Sequence, residues 1–326
     1  MRAFIFPILF ALFAGIMSFA LGGIATLSLV ALLAVLEMTL SFDNAVVNAR
    51  VLKRMSPLWQ QRFLVWGIPI AVFGTRLVLP ILIVSLAAGI SPITITQLAL
   101  FDAARYAEYV HGAHEAIAAF GSAFLLMVSL KYFIDYEKKV HWLKIIERHL
   151  SAWGGIEAIE VALTLGALVI SALLAPLHAA TILIAGLIGV ISFIVVEGIA
   201  QSFEMEAKGT LTGGLATFIY LEVLDSALSL DGVVGAFAIT SSILTIITGL
   251  CIGAMFVRSF TVALVRAKTL DSLIYLEHGA HWAIFGLALS MLASIFVHVP
   301  ETITGFIGII FIGLSYLSSR AEQARL

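Results

Sequence analysis

Oxygen-bearing side chains recur at short intervals in two apolar stretches of the sequence. They stand three or four residues apart, a spacing that gathers side chains on one face of a helix. They are Glu37, Ser41, Asn44 and Asn48 in the first stretch, and Glu222, Asp225 and Ser229 in the second. Hydroxyl, amide and carboxylate oxygens without cysteine suit hard cations such as Mg²⁺, Ca²⁺ or Mn²⁺ better than Cu⁺ or Zn²⁺. The two stretches are therefore candidate cation sites.

Asp43 and Asp231 add one further acid to each stretch. Each follows an earlier acid by six residues, which on an ideal helix turns it about 120° away from that acid. The residue after each aspartate is asparagine or glycine, and both tolerate left-handed backbone conformations. We therefore predict interrupted helices at Ser41–Asn44 and Ser229–Gly232, whose freed oxygens would converge on a cation, as in transporters with broken helices.

The two stretches belong to an internal repeat. Three patterns recur in the same order with offsets of 188, 182 and 167 residues. They are Leu-acid-x-x-Leu-Ser-x-Asp from Leu36 and Leu224, Gly-x-x-Ile with a later arginine from Gly67 (Arg76) and Gly249 (Arg258), and His-Gly-Ala-His from His111 and His278. The offset decreases from each pattern to the next. Two connections that are shorter in the second half than in the first therefore explain all three matches.

The His-Gly-Ala-His motifs contribute His111 and His114 in the first copy, and His278 and His281 in the second. Histidines at positions i and i+3 could bind a metal, or could relay protons because they titrate near neutral pH. The intervening Gly-Ala also permits close helix packing. We expect a structural or gating role rather than direct metal ligation.

Composition indicates the class of fold in which these residues lie. Of 326 residues, 61% are hydrophobic and 12% charged, against about 25% charged in a soluble domain. Ten apolar segments approach the roughly 20 residues of a spanning helix, which predicts an all-α polytopic transmembrane bundle. Named A to J, they are 3–22, 24–49, 62–88, 112–134, 154–175, 179–203, 214–240, 242–265, 280–297 and 302–319. A cleaved signal peptide is the alternative for A. No basic stripe supports nucleic-acid binding.

Charge placement predicts the orientation, because loops rich in lysine and arginine stay cytoplasmic. Fifteen of the 18 basic residues fall on one side of the ten spans if both termini are cytoplasmic. Segments B, C and D then repeat as G, H and I in the opposite direction, and inverted repeats are typical of secondary transporters. The predicted membrane halves are 1–153, with a repeat at about 24–134 before an amphipathic cytoplasmic loop, and 154–326, with a repeat at about 214–297.

Two interpretations of the buried acids remain open. They could pair only with Arg76 and Arg258 and hold helices together. Five acids against two arginines favour cation or proton binding instead.

Three further acids near the predicted inner side have no counterpart in the repeat: Glu157, Glu160 and Glu197. We expect them to be solvated or paired with the basic loop that begins at Lys131. An entry funnel is the alternative.

The Glu-x-x-x-Ser-x-Asp-Asn pattern at Glu37–Asn44, with a weaker copy at Asp225–Gly232, resembles the signature of the TerC family, named for tellurium resistance and grouped with the LysE transporter superfamily. The resemblance implies export of metal ions, Mn²⁺ in particular. The ligands it implies are Glu37, Asp43, Asn44, Asp225 and Asp231. The ten spans and the histidine repeat are typical of a divergent branch.

These patterns together predict a secondary transporter of the plasma membrane, not an enzyme, that exports a hard divalent cation in exchange for protons. Its partners would be the metal ion as substrate, protons and the lipid bilayer, without a resident cofactor and with a possible homo-oligomer. The alternative is a membrane-embedded metal-dependent enzyme that uses His111, His114 and nearby acids. A scaffold subunit is a third possibility.

Overall fold

The structure is a computed structural model that describes residues 2–70, 74, 78–206, 214–215, 217–225, 236, 240, 242–266 and 273–324. Every regular element in these residues is a helix, in agreement with the predicted all-α class. The helices are α1 (Arg2–Leu40), α2 (Phe42–Arg54), α3 (Pro57–Pro69), α4 (Leu79–Ala88), α5 (Pro92–Phe101), α6 (Ala103–Gly112), α7 (His114–Phe133), α8 (Lys144–Ala152), α9 (Ile159–Leu174), α10 (Ala179–Glu206), α11 (217–225), α12 (Ile243–Arg266), α13 (Leu276–Ser294) and α14 (Glu301–Gln323).

Helix α1 is a hairpin of two arms. Its 39 residues would extend about 58 Å as one straight helix, roughly twice the apolar thickness of a bilayer. The helix breaks at Gly22 and Gly23, where Gly23 has φ 66°, a left-handed value that glycine adopts without strain. A Cβ on Gly15 would lie 3.5 Å from Leu27 Cδ1, so the chain reverses between them. The turn falls between predicted segments A and B.

Several helices are long and apolar enough to cross a membrane, as expected of a membrane protein. Within the described ranges four qualify, or five if a pair of helices bent by 109° forms one span. The four are Phe4–Thr39, His114–Phe133, Pro176–Gly198 and Ile243–Val265, and the bent pair is Lys144–Gly155 with Ile159–Leu174. The total of ten spans and the inverted repeat stay predictions.

The chain forms two compact units. The first comprises Met1–His114 and Thr217–Arg266, and the second comprises Glu115–Ala216 and Ala267–Leu326. Each unit therefore takes residues from both predicted membrane halves. Segments B and C of the first repeat share one unit with G and H of the second.

In the first unit, α12 packs along the second arm of α1. Ile252 of α12 lies in a cluster with Ala14, Val30 and Ala34 of α1. A second cluster joins α2 and α3 to Leu221 of α11; its other members are Leu52, Met55, Trp59 and Phe63. Helix α2 is buried on all sides from Asn44 to Ala49, which places polar residues of the first stretch inside the unit.

In the second unit, α7 is the central helix. Nearly every residue from Ala116 to Leu130 is buried, so α7 is surrounded by its neighbours rather than amphipathic. Phe124 packs edge-on against Phe193 of α10, with ring centroids 5.7 Å apart. Phe133 packs against Trp282 of α13 at 4.6 Å. Helix α13 in turn pairs with α14, and α9 with α10.

Candidate functional site

The first polar stretch is a buried stripe that crosses a helix interruption. Glu37 (1% exposed), Ser41 (3%), Asn44 (0%) and Asn48 (1%) are all buried. Ser41 Oγ donates a 2.8 Å hydrogen bond to Glu37 Oε1, the contact that a four-residue spacing on a helix predicts. The stripe is thus a continuous row of oxygen-bearing side chains inside the first unit.

The interruption lies at Ser41, the first residue of the predicted break, but its backbone differs from the predicted one. Ser41 has φ −101° and ψ 15° between α1 and α2, while Asn44 is helical rather than left-handed. The Ser41 N–H still donates to the Glu37 carbonyl oxygen at 3.0 Å. The helix is therefore bent at one residue, with the local hydrogen bonding kept.

Helix α12 approaches the Glu37 region through two glycines. A Cβ on Gly253 would lie 2.5 Å from Glu37 Cβ and 2.9 Å from the Ala34 carbonyl oxygen, and one on Gly249 would lie 2.5 Å from Leu33 Cβ. Only hydrogen fits at these distances. The signal that could have revealed this contact is the Gly-x-x-x-Gly spacing of Gly249 and Gly253, which allows close packing of apolar helices.

Arg258 of the same helix holds the two acids of α11. Its Nη2 donates to both carboxylate oxygens of Glu222 at 3.1 Å and lies 3.6 Å from Asp225 Oδ2. The guanidinium carbon lies 4.0 Å from the centroid of the Phe63 ring, a cation–π contact. Gly67 leaves the space that this ion pair occupies, since a Cβ there would overlap Arg258 Nη1 and approach Glu222 Oε1. The predicted arginine pairing is thus present for Glu222 and Asp225.

Several predicted residues lie outside the described residues. They are Arg76, Ser229 and Asp231, together with the side chain of Asp43, whose backbone belongs to α2. The predicted interruption at Ser229–Gly232 lies outside as well. Among the residues that the structure does describe, no group of three or more His, Cys, Asp and Glu side chains is arranged to hold a metal ion.

The two histidine motifs have different surroundings. In the first copy, His111 is exposed in the last turn of α6, and His114 begins α7 half-buried. In the second copy, His278 (3% exposed) and His281 (7%) are buried in the first two turns of α13. His281 Nδ1 donates to the Glu277 carbonyl oxygen at 2.8 Å, and its ring stacks on Tyr132 with centroids 3.6 Å apart. These contacts favour a structural role for the second copy.

His278 leads to a residue that the sequence analysis missed, Glu147. This side chain lies in the segment predicted to be an amphipathic cytoplasmic loop, yet it is fully buried. Its Oε2 accepts hydrogen bonds from His278 Nδ1 at 2.7 Å and from the Trp142 N–H at 3.1 Å. Its Oε1 accepts from Trp282 Nε1 at 3.0 Å and from the Leu143 N–H at 3.3 Å. Both carboxylate oxygens are therefore fully used by protein donors.

Lys138 and His141 complete the surroundings of Glu147. Lys138 Nζ lies 3.3 Å from Glu147 Oε2 and 3.9 Å from the centroid of the Tyr132 ring, while His141 Nδ1 lies 4.0 Å from the same oxygen. The signal that could have found Glu147 is its position as the sole acid among the bases from Lys138 to His149. Its partner His278 lies 131 residues away, which no local pattern reveals.

These contacts and burial shift the pKa values of Glu147, Lys138 and His141. Burial alone would raise the pKa of Glu147, but the hydrogen bond and charge of His278, the Trp282 N–H and the Lys138 charge outweigh it and lower the pKa to about 2. Burial lowers the pKa of Lys138, and Glu147 opposes that change. Burial and the Lys138 charge lower the pKa of His141. Glu147 is thus held as an anion.

The expectation that Glu157, Glu160 and Glu197 are solvated or paired with the basic loop is confirmed. Lys131 Nζ lies 3.8 Å from Glu160 Oε1 of α9 and 3.9 Å from Glu197 Oε1 of α10. Glu157 is exposed in the turn before α9. Because Lys131 is half-exposed, these pairs contribute little stability.

Comparison with curated proteins and with solved structures gives no match. A family model described as "Protein of unknown function (DUF475)" matches residues 42–326, which include α2 and every later helix. The chain therefore belongs to the DUF475 family.

Proposed function

We propose that this protein is a secondary transporter that exports a hard divalent cation across the plasma membrane. The observation that carries the proposal is the buried stripe Glu37, Ser41, Asn44 and Asn48, which crosses a helix interruption in the first unit. An acid inside a spanning segment costs at least about 2.5–3.5 kcal/mol at the helix centre. Such a cost is retained where the acid has a function, and substrate or ion pathways and proton relays are among these functions.

The chemistry of the stripe supports a hard cation. Its side chains offer carboxylate, hydroxyl and amide oxygens and no sulfur, the donors that Mg²⁺, Ca²⁺ and Mn²⁺ prefer. Asn48 Oδ1 is buried and has no hydrogen-bond donor within the part of the chain that the structure describes. An amide oxygen in this state is available as a metal ligand.

The identity of the ion rests on the resemblance to the TerC family, which implies Mn²⁺. Its ligands would be Glu37, Asp43, Asn44, Asp225 and Asp231, contributed by two inverted repeats within ten spans. Asp225 would exchange its contact with Arg258 for the ion. The placement of segments B, C, G and H in one compact unit supports a site built from both repeats.

Export of a divalent ion against an inside-negative potential of 100 mV costs about 4.6 kcal/mol. Proton entry is the proposed source of this energy, because the sequence contains no Walker A motif for nucleotide binding. Both termini would then be cytoplasmic, as the distribution of basic residues predicts. The same carboxylates would alternate between proton and metal.

The alternative of a membrane-embedded metal-dependent enzyme has less support. Its best histidine and carboxylate cluster is Glu147 with His278 and His141, but both oxygens of Glu147 already accept hydrogen bonds from four protein donors. A metal would have to displace them. We therefore assign this cluster no catalytic role.

Mn²⁺ efflux and uptake in proteoliposomes test the proposal. We expect Glu37→Gln, Asp43→Asn and Asp231→Asn to reduce Mn²⁺ flux at least tenfold. The matched control Glu108→Gln removes an exposed acid of α6 in the same unit and should leave the flux unchanged.

Each variant is first checked for a monodisperse elution profile and a thermal midpoint near that of the parent, so that loss of fold is not mistaken for loss of transport. Asn48→Ala, which removes the buried amide oxygen beside these ligands, should weaken the apparent Mn²⁺ affinity. Parental flux in all the acid variants, with competing divalent ions as well as Mn²⁺, would overturn the proposal.

A further inference from the structure

We propose that residues 136–156 of the second unit form an interfacial anchor that binds anionic phospholipid headgroups at the membrane surface. This anchor contains α8 and the turns on either side of it. The inference is independent of the proposed transport activity, because it requires only that the protein lies in a membrane.

The angle between α8 and α9 indicates how α8 lies relative to the membrane. The segment Lys144–Gly155 is bent by 109° from Ile159–Leu174. Helix α9 is apolar and packs against α10, which is long and apolar enough to span the bilayer. If α9 follows α10 through the membrane, α8 leaves it almost at a right angle. A helix in that position lies in the plane of the membrane surface.

The burial pattern of α8 shows which of its side chains face outward. Its acidic residue Glu147 points into the unit, whereas Ile145 is 80% exposed and Ile146 is 49% exposed. The exposed charged side chains of α8 are all basic, namely Lys144 and Arg148. The negative charge of α8 is thus buried, whereas its isoleucine and basic side chains are exposed. This combination is typical of helices that rest on anionic membranes.

Neighbouring residues extend the same surface. Further exposed apolar side chains lie before and after α8: Tyr136 (77% exposed), Val140 (43%), Trp153 (44%) and Ile156 (55%). Tyrosine and tryptophan favour the headgroup level of a bilayer, and Lys139 adds a third exposed base. Water is a poor environment for so many apolar groups on one short segment, whereas the headgroup region accommodates both kinds of side chain.

The anchor is held in a defined shape. Glu147 binds the N–H groups of Trp142 and Leu143 within the segment and joins it to His278 of α13. At its end, Gly154 lies against the backbone of residue 134, since a Cβ there would overlap the Ile134 carbonyl oxygen and lie 2.9 Å from the Tyr136 N–H nitrogen. The outward orientation of Ile145 therefore follows from tertiary contacts and does not require bound lipid.

Site-directed spin labelling of the full chain tests the inference. Cys251 is the only cysteine, so Cys251→Ser provides a background for Ile145→Cys with a nitroxide label. The reference is Val169→Cys in α9, an exposed apolar position (49%). The protein is reconstituted in vesicles of phosphatidylcholine, or of phosphatidylcholine with one quarter phosphatidylglycerol. Collision rates with oxygen and with a water-soluble nickel chelate report the depth of each label.

We expect the label at residue 145 to lie at the boundary of headgroups and acyl chains, shallower than the label at residue 169 and deeper with phosphatidylglycerol. The double variant Lys144→Glu with Arg148→Glu should abolish the effect of phosphatidylglycerol. Arg105→Glu, which reverses an exposed base in the first unit, should preserve it. Three results would overturn the inference: nickel access equal to that of a label in water, no access for either reagent, or the same depth in both lipid mixtures.

Discussion

His278 Nδ1 donates a 2.7 Å hydrogen bond to Glu147 Oε2 across a sequence separation of 131 residues. This contact joins a loop between two membrane segments to the second histidine motif. The second copy of that motif thus has a buried carboxylate, Glu147, as an acceptor.

Glu147→Gln should strongly destabilise the protein. The variant keeps the size of the side chain but removes the charge that Lys138 and His278 face, and breaking one partner of a buried pair costs about 3–5 kcal/mol. The thermal unfolding midpoint in detergent measures the loss. Glu137→Gln, which changes an exposed acid of the same loop, is the matched control and should shift stability by less than about 0.5 kcal/mol. Equal midpoints for the two variants would contradict the assignment.

The same carboxylate should make stability depend on pH in the acid range. The pKa of Glu147 in the folded protein is about 2, below its ordinary value of 4.5. A lowered pKa contributes stability that is present above pH 4.5 and is lost as the pH falls through about 2. We expect the difference in thermal midpoint between the parent and Glu147→Gln to be constant above pH 5 and to shrink towards pH 2. A difference that stays constant down to pH 2 would show that the fold does not lower the pKa of Glu147.

Gly253→Ala should separate α1 from α12. The new Cβ would lie 2.5 Å from Glu37 Cβ, and overpacking of this kind costs about 1–3 kcal/mol. The thermal midpoint should fall, and Mn²⁺ flux in proteoliposomes should fall with it because Glu37 is displaced. Gly313→Ala in α14, where a Cβ meets nothing within 4 Å, should be neutral or slightly stabilising. If the two alanine variants behave alike, the close approach at Gly253 is not present in the protein.

Arg258 should be replaceable by lysine only in part. Arg258→Met leaves Glu222 and Asp225 buried without their cation, and we expect a loss of about 3–5 kcal/mol. Arg258→Lys retains the charge but not the paired hydrogen bonds to Glu222, so its loss should be smaller. Thermal midpoints compare the two variants.

The double variant Glu222→Gln with Arg258→Met supplies the control for this ion pair. Its loss should be clearly less than the sum of the two single losses, because the residues interact directly. Additive losses would indicate that the ion pair contributes nothing measurable.

Much of the first unit follows from the sequence alone. A chain with 61% hydrophobic residues and few charges forms apolar helices, because in a membrane every backbone polar group must find its partner within a helix or a closed barrel. The spacing of Glu37, Ser41, Asn44 and Asn48 placed these residues on one face before any contact was known, because helical periodicity is a local property. The turn at Gly22–Gly23 falls at the predicted boundary of segments A and B, whereas the interruption has its unusual backbone at Ser41 and not at Asn44, where residue type had suggested it.

Tertiary structure alone decided which acids meet which partners. Arg258 binds Glu222 and Asp225 from another helix, and Glu147 binds His278 and Trp282 from a helix more than a hundred residues later. By local pattern Glu147 belongs to a charged, amphipathic loop, and it is buried only because donors on α13 replace the water that it loses. Burial of a charge depends on the sum of such contacts. For that reason the sequence predicted the all-α class and the polar stripe from Glu37 to Asn48, but not helices α5 and α6 or which carboxylate would be enclosed.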